Sequence, residues 1–422
     1  MLGVWSCPNH LPRPPTQQGE PNLDIRGLNW AYVLMGVADG TLLPFIPLFL
    51  LQRGLSAQLI GAVLAAAALA SLVAGMSWAY LADRRLHPER ILVVASVAAA
   101  LAALLLALTN GAVTLAAVIV VLWLARAPFM LLDPITLRRL RKAPRTDYAR
   151  IRLRMSAGWA GSVTVSGAIF QVVSLRLIPF VYAPLTLLFG MWVWRSLTPA
   201  LPGQPVEPPS RAPVSHRVPR VPVALVGFLV SAFLLGASLA ATQNFLTLRI
   251  SFLGGGALII GAAAAFQALT EIPTMGYTHV LTRRLSHRGL YAIGCAIYLV
   301  VFLAWAFVSD AFTAALLKLA IGVAFALTYV ASVVIADELS PAHLRATGQA
   351  LMKSVLFGLA PIAGSLGGGL IYGTIGPRAM FLISTVVVAA AGLIVMVALP
   401  GRARKSADEV VPTAAEPVPL TP

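Results

Sequence analysis

Five ionisable side chains fall inside long apolar runs: Asp39, Arg126, Glu271, Lys318 and Lys353. A charge held in a bilayer costs several kcal/mol, so such residues are functional candidates by default. A carboxylate in an apolar medium is readily protonated, because burial penalises its charged form. Asp39 and Glu271 are therefore candidates for proton coupling. Asp39 stands in Gly36-Val37-Ala38-Asp39-Gly40, where glycines four residues apart let a neighbouring backbone approach. A structural carboxylate bonded to a facing helix is the other reading of it. Glu271 precedes Pro273, which frees a carbonyl in the preceding turn. A fixed ion pair with Lys318 or Lys353 is the alternative for Glu271. Arg126 can clamp a substrate carboxylate in bidentate fashion, or neutralise Asp39 or Asp133 permanently. Lys318 and Lys353 are further substrate-binding candidates, although lysines also snorkel to an interface. Gln171, Gln243, Asn244, Gln267 and Gln349 form a weaker polar set, of which Gln243 and Asn244 are the substrate-binding candidates; a lone amide in a span more often joins helices.

Holding these residues requires a membrane scaffold. The chain has 422 residues, 59% of them hydrophobic and 11% charged, with mean hydropathy +0.85. A soluble domain is about 45–50% apolar and about 25% charged. A soluble enzyme and a disordered scaffold are excluded. The net charge of +16 lies in clusters between apolar runs rather than as one stripe, so no nucleic-acid partner is expected. Cys7 and Cys295 make neither a disulfide framework nor a metal site, and Cys295 reads as a membrane-facing or packing residue. No GxxxxGK[ST] loop or HExxH motif occurs, so neither ATP-driven pumping nor a metal is expected. No cofactor is expected either, with protons as the coupling ion.

A bilayer core needs roughly 20 apolar residues per helix. The pattern predicts twelve spans: 28–51, 57–81, 90–109, 111–137, 152–174, 177–198, 222–248, 256–281, 289–309, 311–336, 343–373 and 378–399. Lysines and arginines cluster at the ends that share a side with the termini. Only Arg53, Arg176, Arg249 and Arg378 fall on the other side. By the positive-inside bias, both termini are cytoplasmic. A shift of 200 residues lays Ile60-Gly61-Ala62 on Ile260-Gly261-Ala262, Arg84 on Arg284 and His87 on His287. Two parallel six-helix repeats follow, residues 27–198 and 222–400. A Pro- and Arg-rich cytoplasmic linker, 199–221, joins them, with disordered cytoplasmic tails at 1–26 and 401–422. Trp30, Tyr32, Trp192 and Trp194 near span ends read as interfacial anchors. Gly364-Ser365-Leu366-Gly367-Gly368-Gly369 reads as close packing or a hinge.

Several segments resemble the major facilitator superfamily. They are Asp39-Gly40, Pro44-Phe45-Ile46-Pro47, Arg53-Gly54-Leu55-Ser56, Leu81-Ala82-Asp83-Arg84, Ala127-Pro128-Phe129-Met130-Leu131-Leu132-Asp133, Tyr148-Ala149-Arg150-Ile151-Arg152-Leu153, Glu271, and Asp337-Glu338-Leu339 with Arg345. More narrowly, they resemble the branch of the phenylpropionate permeases and the nucleoside and lactose permease-like symporters. Two departures stand out. Leu86-His87-Pro88-Glu89 replaces the family's Gly and basic pair, and Arg154-Met155-Ser156 stands where the branch has Trp-Gly-Ser. The resemblance implies an all-α integral membrane protein of twelve transmembrane helices with the major facilitator fold. Spans 1, 2, 4, 5, 7, 8, 10 and 11 would line its cavity, so all five charged candidates would sit on cavity spans. It also implies an inner gate. Asp83 would cap the start of span 11 and pair with arginines of loop 4–5, with Arg84, Asp133 and Arg152 in the same network. A carboxylate at a helix N-terminus is favoured by the helix dipole.

The expected function is a secondary active transporter, working as a monomer in the plasma membrane. It would move a small organic solute by alternating access, coupled to protons in symport. Proton-antiport efflux of drugs or metabolites, and a non-transporting membrane sensor or scaffold, are the alternatives. The topology is testable. A cysteine placed near Asn110 should react with an impermeant reagent added outside intact cells, and one near Pro205 should not. Labelling at Pro205 from outside would overturn the inside assignment.

Overall fold

The computed structural model describes residues 25–84, 86–140, 148–197, 222–341 and 344–399. The tails and linker expected at 1–26, 199–221 and 401–422 lie outside the described residues, apart from Ile25 and Arg26, which are already helical. Among the described residues there are twelve membrane-length helices. The first six are α1 (Ile25–Gln52), α2 (Ala57–Arg84), α3 (Pro88–Leu108), α4 (Ala112–Leu140), α5 (Tyr148–Val172) and α6 (Leu175–Leu197). The second six are α7 (Val223–Phe252), α8 (Ala257–Arg284), α9 (His287–Phe307), α10 (Ala311–Leu339), α11 (Arg345–Ser354, then Ala360–Thr374 beyond a π-turn at Val355–Leu359) and α12 (Pro377–Ala398). Eleven of them are apolar enough to be spans by hydropathy alone. The exception is α5, whose first turns carry Arg150, Arg152 and Arg154. Its 25 residues still rise about 37 Å, enough to cross a hydrocarbon core.

The 200-residue repeat is structural as well as sequential. Helices α2 and α8 each have 28 residues and begin 200 positions apart. Each follows a tight loop turned by a glycine in left-handed backbone, Gly54 at φ 83° and Gly254 at φ 84°, a region that side chains disfavour. An arginine braces each loop. Arg53 donates to the carbonyls of Thr109 (3.0 Å) and Leu106 (3.3 Å), and Arg249 donates to that of Val308 (3.0 Å). Both fasten the end of the first helix in a repeat to the end of the third.

Glycine sets how closely the helices cross. In the first half, a Cβ on Gly36 would sit 2.2 Å from the Met155 carbonyl oxygen, and one on Gly40 2.1 Å from Ser162 Oγ. The glycine pair around Asp39 therefore seats α1 against α5. In the second half, Gly236 and Gly364 play the same part between α7 and α11, against Leu356 and Ala237. The Gly364–Gly369 run thus packs closely, its Gly368 against Ala241 of α7 and its Gly369 against Gly61 of α2.

The halves meet at the end that carries the α1–α2 and α7–α8 loops. There α2 crosses α11, with Gly61 against the Ser365 carbonyl and Gly369, and Gln58 against Gly373. Likewise α5 crosses α8, with Gly167 against the Ala257 carbonyl and Gly261 against that of Val163. Gln171 Oε1 reaches the N–H of Leu258 at 3.4 Å. Proline unwinds two helices short of their ends. Pro44 lies in a 3-10 turn of α1, Leu43–Phe45, and Pro128 in one of α4, Ala127–Leu131.

Three local expectations are refined. Tyr32 is fully buried rather than an interfacial anchor, because its hydroxyl donates to Asp133 at 2.6 Å. Trp30 and Trp194 are exposed, as anchors would be. Trp192 donates to the Gly27 carbonyl at 2.9 Å. Cys295 is buried against Gly392, so it packs the second half rather than facing lipid. Closure at the α2–α11 crossing should be capturable. With Cys7 and Cys295 replaced by alanine, a Gln58→Cys/Gly373→Cys pair should cross-link under mild oxidation, arrest transport, and recover on reduction. Full transport with the cross-link in place would mean that this crossing never opens.

Candidate functional site

A cavity of about 380 Å³ lies between the halves. The first half gives it an apolar wall: Leu43, Pro44 and Pro47 from α1, with Met155 and Trp159 from α5. Pro44 lies in the 3-10 turn of α1 and Pro47 in the helical segment that follows it. Polar groups come from the second half: Gln243, Asn244 and Thr247 of α7, Gln267 and Glu271 of α8, and Lys318 of α10. Arg152 and Ser156 of α5 join them from across the gap. Such a pocket suits a small molecule with one apolar face and one hydrogen-bonding face.

Lys318 organises the polar wall. The residue is 7% exposed, and its ammonium donates to Gln243 Oε1 and to Gln267 Oε1, the latter at 2.8 Å. Gln243 Nε2 donates in turn to Gln267 Oε1 at 3.3 Å. Asn244 is anchored by its donation to Ser365 Oγ at 3.0 Å. Glu271 lies four residues beyond Gln267, one helical turn further along α8. Among the described residues no cation stands within 4.0 Å of it. The fixed ion pairs weighed for it with Lys318 and Lys353 are therefore absent.

The other candidates separate into different environments. Asp39 and Arg126 form an ion pair inside the first half, where the guanidinium also faces the rings of Trp123 (5.6 Å) and Tyr182 (5.9 Å). Neither residue lines the cavity; of the two readings of Arg126, the pairing with Asp39 is the one formed. Lys353 is exposed and also stands off the cavity lining, because it occupies the outer face of α11's amphipathic first segment. Asp133 accepts from Tyr32 and lies 3.8 Å from Arg152 Nε, which ties α4 to α5. Asp337 and Arg345, 3.7 Å apart, tie α10 to α11 in the same way. These pairs join helices within a half rather than across the gap. The side chains of Asp83 and Arg84 lie outside the described residues.

Sequence reasoning passed over three groups. Arg152, assigned to the gate, also reaches the cavity. Trp159 escaped notice because it sits mid-span, where an aromatic gives no polar signal. Glu89 is almost fully buried and bonded to Arg138 at 2.7 Å, with Arg139 at 3.6 Å. In the sequence it stood only as part of the Leu86-His87-Pro88-Glu89 departure from the family motif.

Twelve helices in two like halves, joined at glycine crossings over a polar cavity, define a membrane transporter of the major facilitator fold. A model of the MFS_1 like family matches residues 26–383, and the chain belongs to that family. It is 27% identical over 387 residues to a maltose permease of Geobacillus stearothermophilus, covering 90% of this chain and 95% of that protein. Among solved structures it is similar to a variant of the nucleoside transporter NupG, with TM-score 0.77 and 18% identity over 90% of this chain and 100% of that one. It is also similar to a D-xylose-proton symporter, with TM-score 0.67 and 16% identity over 90% and 98%. These relatives are transporters rather than enzymes, and this chain is likewise an integral multi-pass membrane protein.

The buried pair has a measurable signature. Breaking a buried ion pair from one side strands the other charge, at a cost of about 3–5 kcal/mol, whereas removing both costs far less. Asp39→Asn alone should lower the melting temperature in detergent more than Asp39→Asn/Arg126→Gln does. A single variant as stable as the parent would release Asp39 from its structural role and return it to the proton-coupling set.

Proposed function

We propose that this transporter takes up a small organic solute together with protons, by alternating access, with Glu271 as the proton site. The observation that carries the reading is a carboxylate on the wall of the central cavity with no cation within 4.0 Å. A proton on such a group changes the charge of the binding site and hence the preferred state of the protein. Asp39 is the weaker choice because Arg126 already neutralises it.

The solute binds with its hydrogen-bonding groups toward Gln243, Asn244, Gln267 and Lys318, and its apolar face toward Trp159 and the prolines of α1. Arg126 and Lys353, off the cavity wall, are not ligands in this state. The names of the maltose permease, the nucleoside transporter and the D-xylose-proton symporter support a hydrophilic organic solute and uptake with protons. The arginine distribution puts the α1–α2 loop outside, so the glycine crossings close the outer side and the cavity leads inward past Arg152. Asp83, Arg84, Asp133 and Arg152 would close the inner side in the opposite state. The protein works in the plasma membrane as a monomer, both termini cytoplasmic, with no cofactor and no nucleic-acid partner.

Glu271→Gln fixes the protonated state in size and charge. In proteoliposomes this variant should exchange solute across the membrane but fail to accumulate it under an imposed pH gradient. If accumulation survives in Glu271→Gln and fails in Asp39→Asn, the proton site belongs on α1. Normal accumulation in both would rule out coupling through an intramembrane carboxylate.

A further inference from the structure

The charges around the cavity do not balance once a proton is aboard. Among the described residues three charged ones line it: Arg152, Lys318 and Glu271. Arg152 has its own counterion, Asp133, at 3.8 Å. Asp39 and Arg126 neutralise each other out of reach. Lys318 and Glu271 remain, one ammonium and one carboxylate on the same wall. Among the described residues the ammonium is held by the neutral amide oxygens of Gln243 and Gln267 alone. Groups in electrostatic reach of Glu271 are Lys318 from α10, Arg152 from α5 and Tyr298 from α9. Putting a proton on Glu271 therefore leaves Lys318 without any ionised counterion on its wall.

An ammonium in an apolar medium calls for an anion, and amide dipoles are only a partial substitute. We propose that the co-transported solute is a small monoanion whose carboxylate is received by Lys318 while Glu271 carries the proton. This rests on the proton-symport reading above and adds the solute's charge to it. One proton and one monoanion then cross together, so each cycle moves no net charge. The empty carrier returns with Glu271 ionised as the counterion of Lys318. In both loaded and empty states the cavity wall holds one positive and one negative group. Gln243 and Gln267 are suited to both states, because an amide that turns over offers its N–H₂ to a carboxylate where its oxygen had faced the ammonium. The apolar wall of Trp159, Pro44 and Pro47 takes the body of the solute.

A neutral solute carried with one proton would instead be electrogenic, and that separates the two cases. The probes are matched pairs: D-glucuronate with D-glucose, D-galacturonate with D-galactose, and lactate with propane-1,2-diol. An acid of this panel should stabilise the purified protein thermally where its neutral parent does not. Lys318→Met should weaken its apparent affinity about tenfold or more, the loss of a charge-assisted hydrogen bond. Lys318→Arg should retain most of the affinity. In proteoliposomes, uptake of that acid should follow an imposed pH gradient. It should give no current on a supported membrane and be indifferent to a potassium diffusion potential set with valinomycin. The proposal is overturned by tighter binding of a neutral parent, by acid binding that survives in Lys318→Met, or by a panel in which no acid binds. Gradient-driven accumulation of a neutral parent with an inward current would overturn it while leaving proton symport intact. Binding of an acid with no accumulation under any pH gradient would sink proton symport itself.

Discussion

A charge inside a bilayer must find a partner or be put to use, and most of this structure follows from that constraint. The cost of stranding an ion in hydrocarbon is several kcal/mol, comparable with the net stability of many domains. The first half answers by pairing. Asp39 meets Arg126, Glu89 meets Arg138 and Arg139, and Asp133 takes both Tyr32 and Arg152. The second half pairs Asp337 with Arg345, and Glu338 with His287 at 3.0 Å. Against that background Lys318 and Glu271 are conspicuous: both are cavity groups, and among the described residues neither has an ionic partner within 4.0 Å.

The same constraint explains why glycine does so much of the architectural work. Lipid offers no hydrophobic drive to press helices together, so they associate by close packing of small residues. The crossings within a half, Gly36 and Gly40 on α5 or Gly236 and Gly364 along α7–α11, fix each half as a unit. The crossings between halves, Gly61 on Gly369 and Gly261 on Val163, are equally close and lie toward one end. Contacts that depend on shape alone separate without leaving buried charges unsatisfied. An interface of small residues therefore suits a closure that must form and part in every cycle, whereas ion pairs suit the contacts that hold a half together.

Much of the scaffold was legible in the sequence because membrane helices advertise themselves. Apolar length gave eleven spans directly. The twelfth, α5, was read from the apolar run at 152–174, although the arginines of its first turns keep its mean hydropathy low. The 200-residue shift was visible in a few identities and returns as equal helix lengths and matched left-handed glycines. What the sequence did not carry was the sorting of the charged residues. Asp39 and Glu271 look alike as isolated acids in apolar runs. Only the placement of α4 beside α1 decides that Arg126, 87 residues away, neutralises one and not the other. Lys318 and Lys353 were likewise indistinguishable until α10 turned one inward and α11 turned the other out. Gln267 stayed in the background because a single amide says nothing until a lysine from another helix bonds to it.

The two halves share a plan but not a chemistry. Each ties its fourth helix to its fifth by an acid and an arginine, Asp133 with Arg152 and Asp337 with Arg345. Each braces its first loop by an arginine at the end of its first helix, which bonds to carbonyls at the end of its third. The two bundles share one layout, and the cavity between them would be symmetric if the side chains were. Instead the first half presents proline, methionine and tryptophan, with its own acid locked to Arg126. The second presents amides, a lysine and an unpaired acid. A proton that changes the charge of only one wall alters how that wall meets the other and the solute between them. In the proposed proton symport, an asymmetric site on a symmetric frame would give one small titration leverage over the relation between two large bundles, which is what a coupled carrier requires.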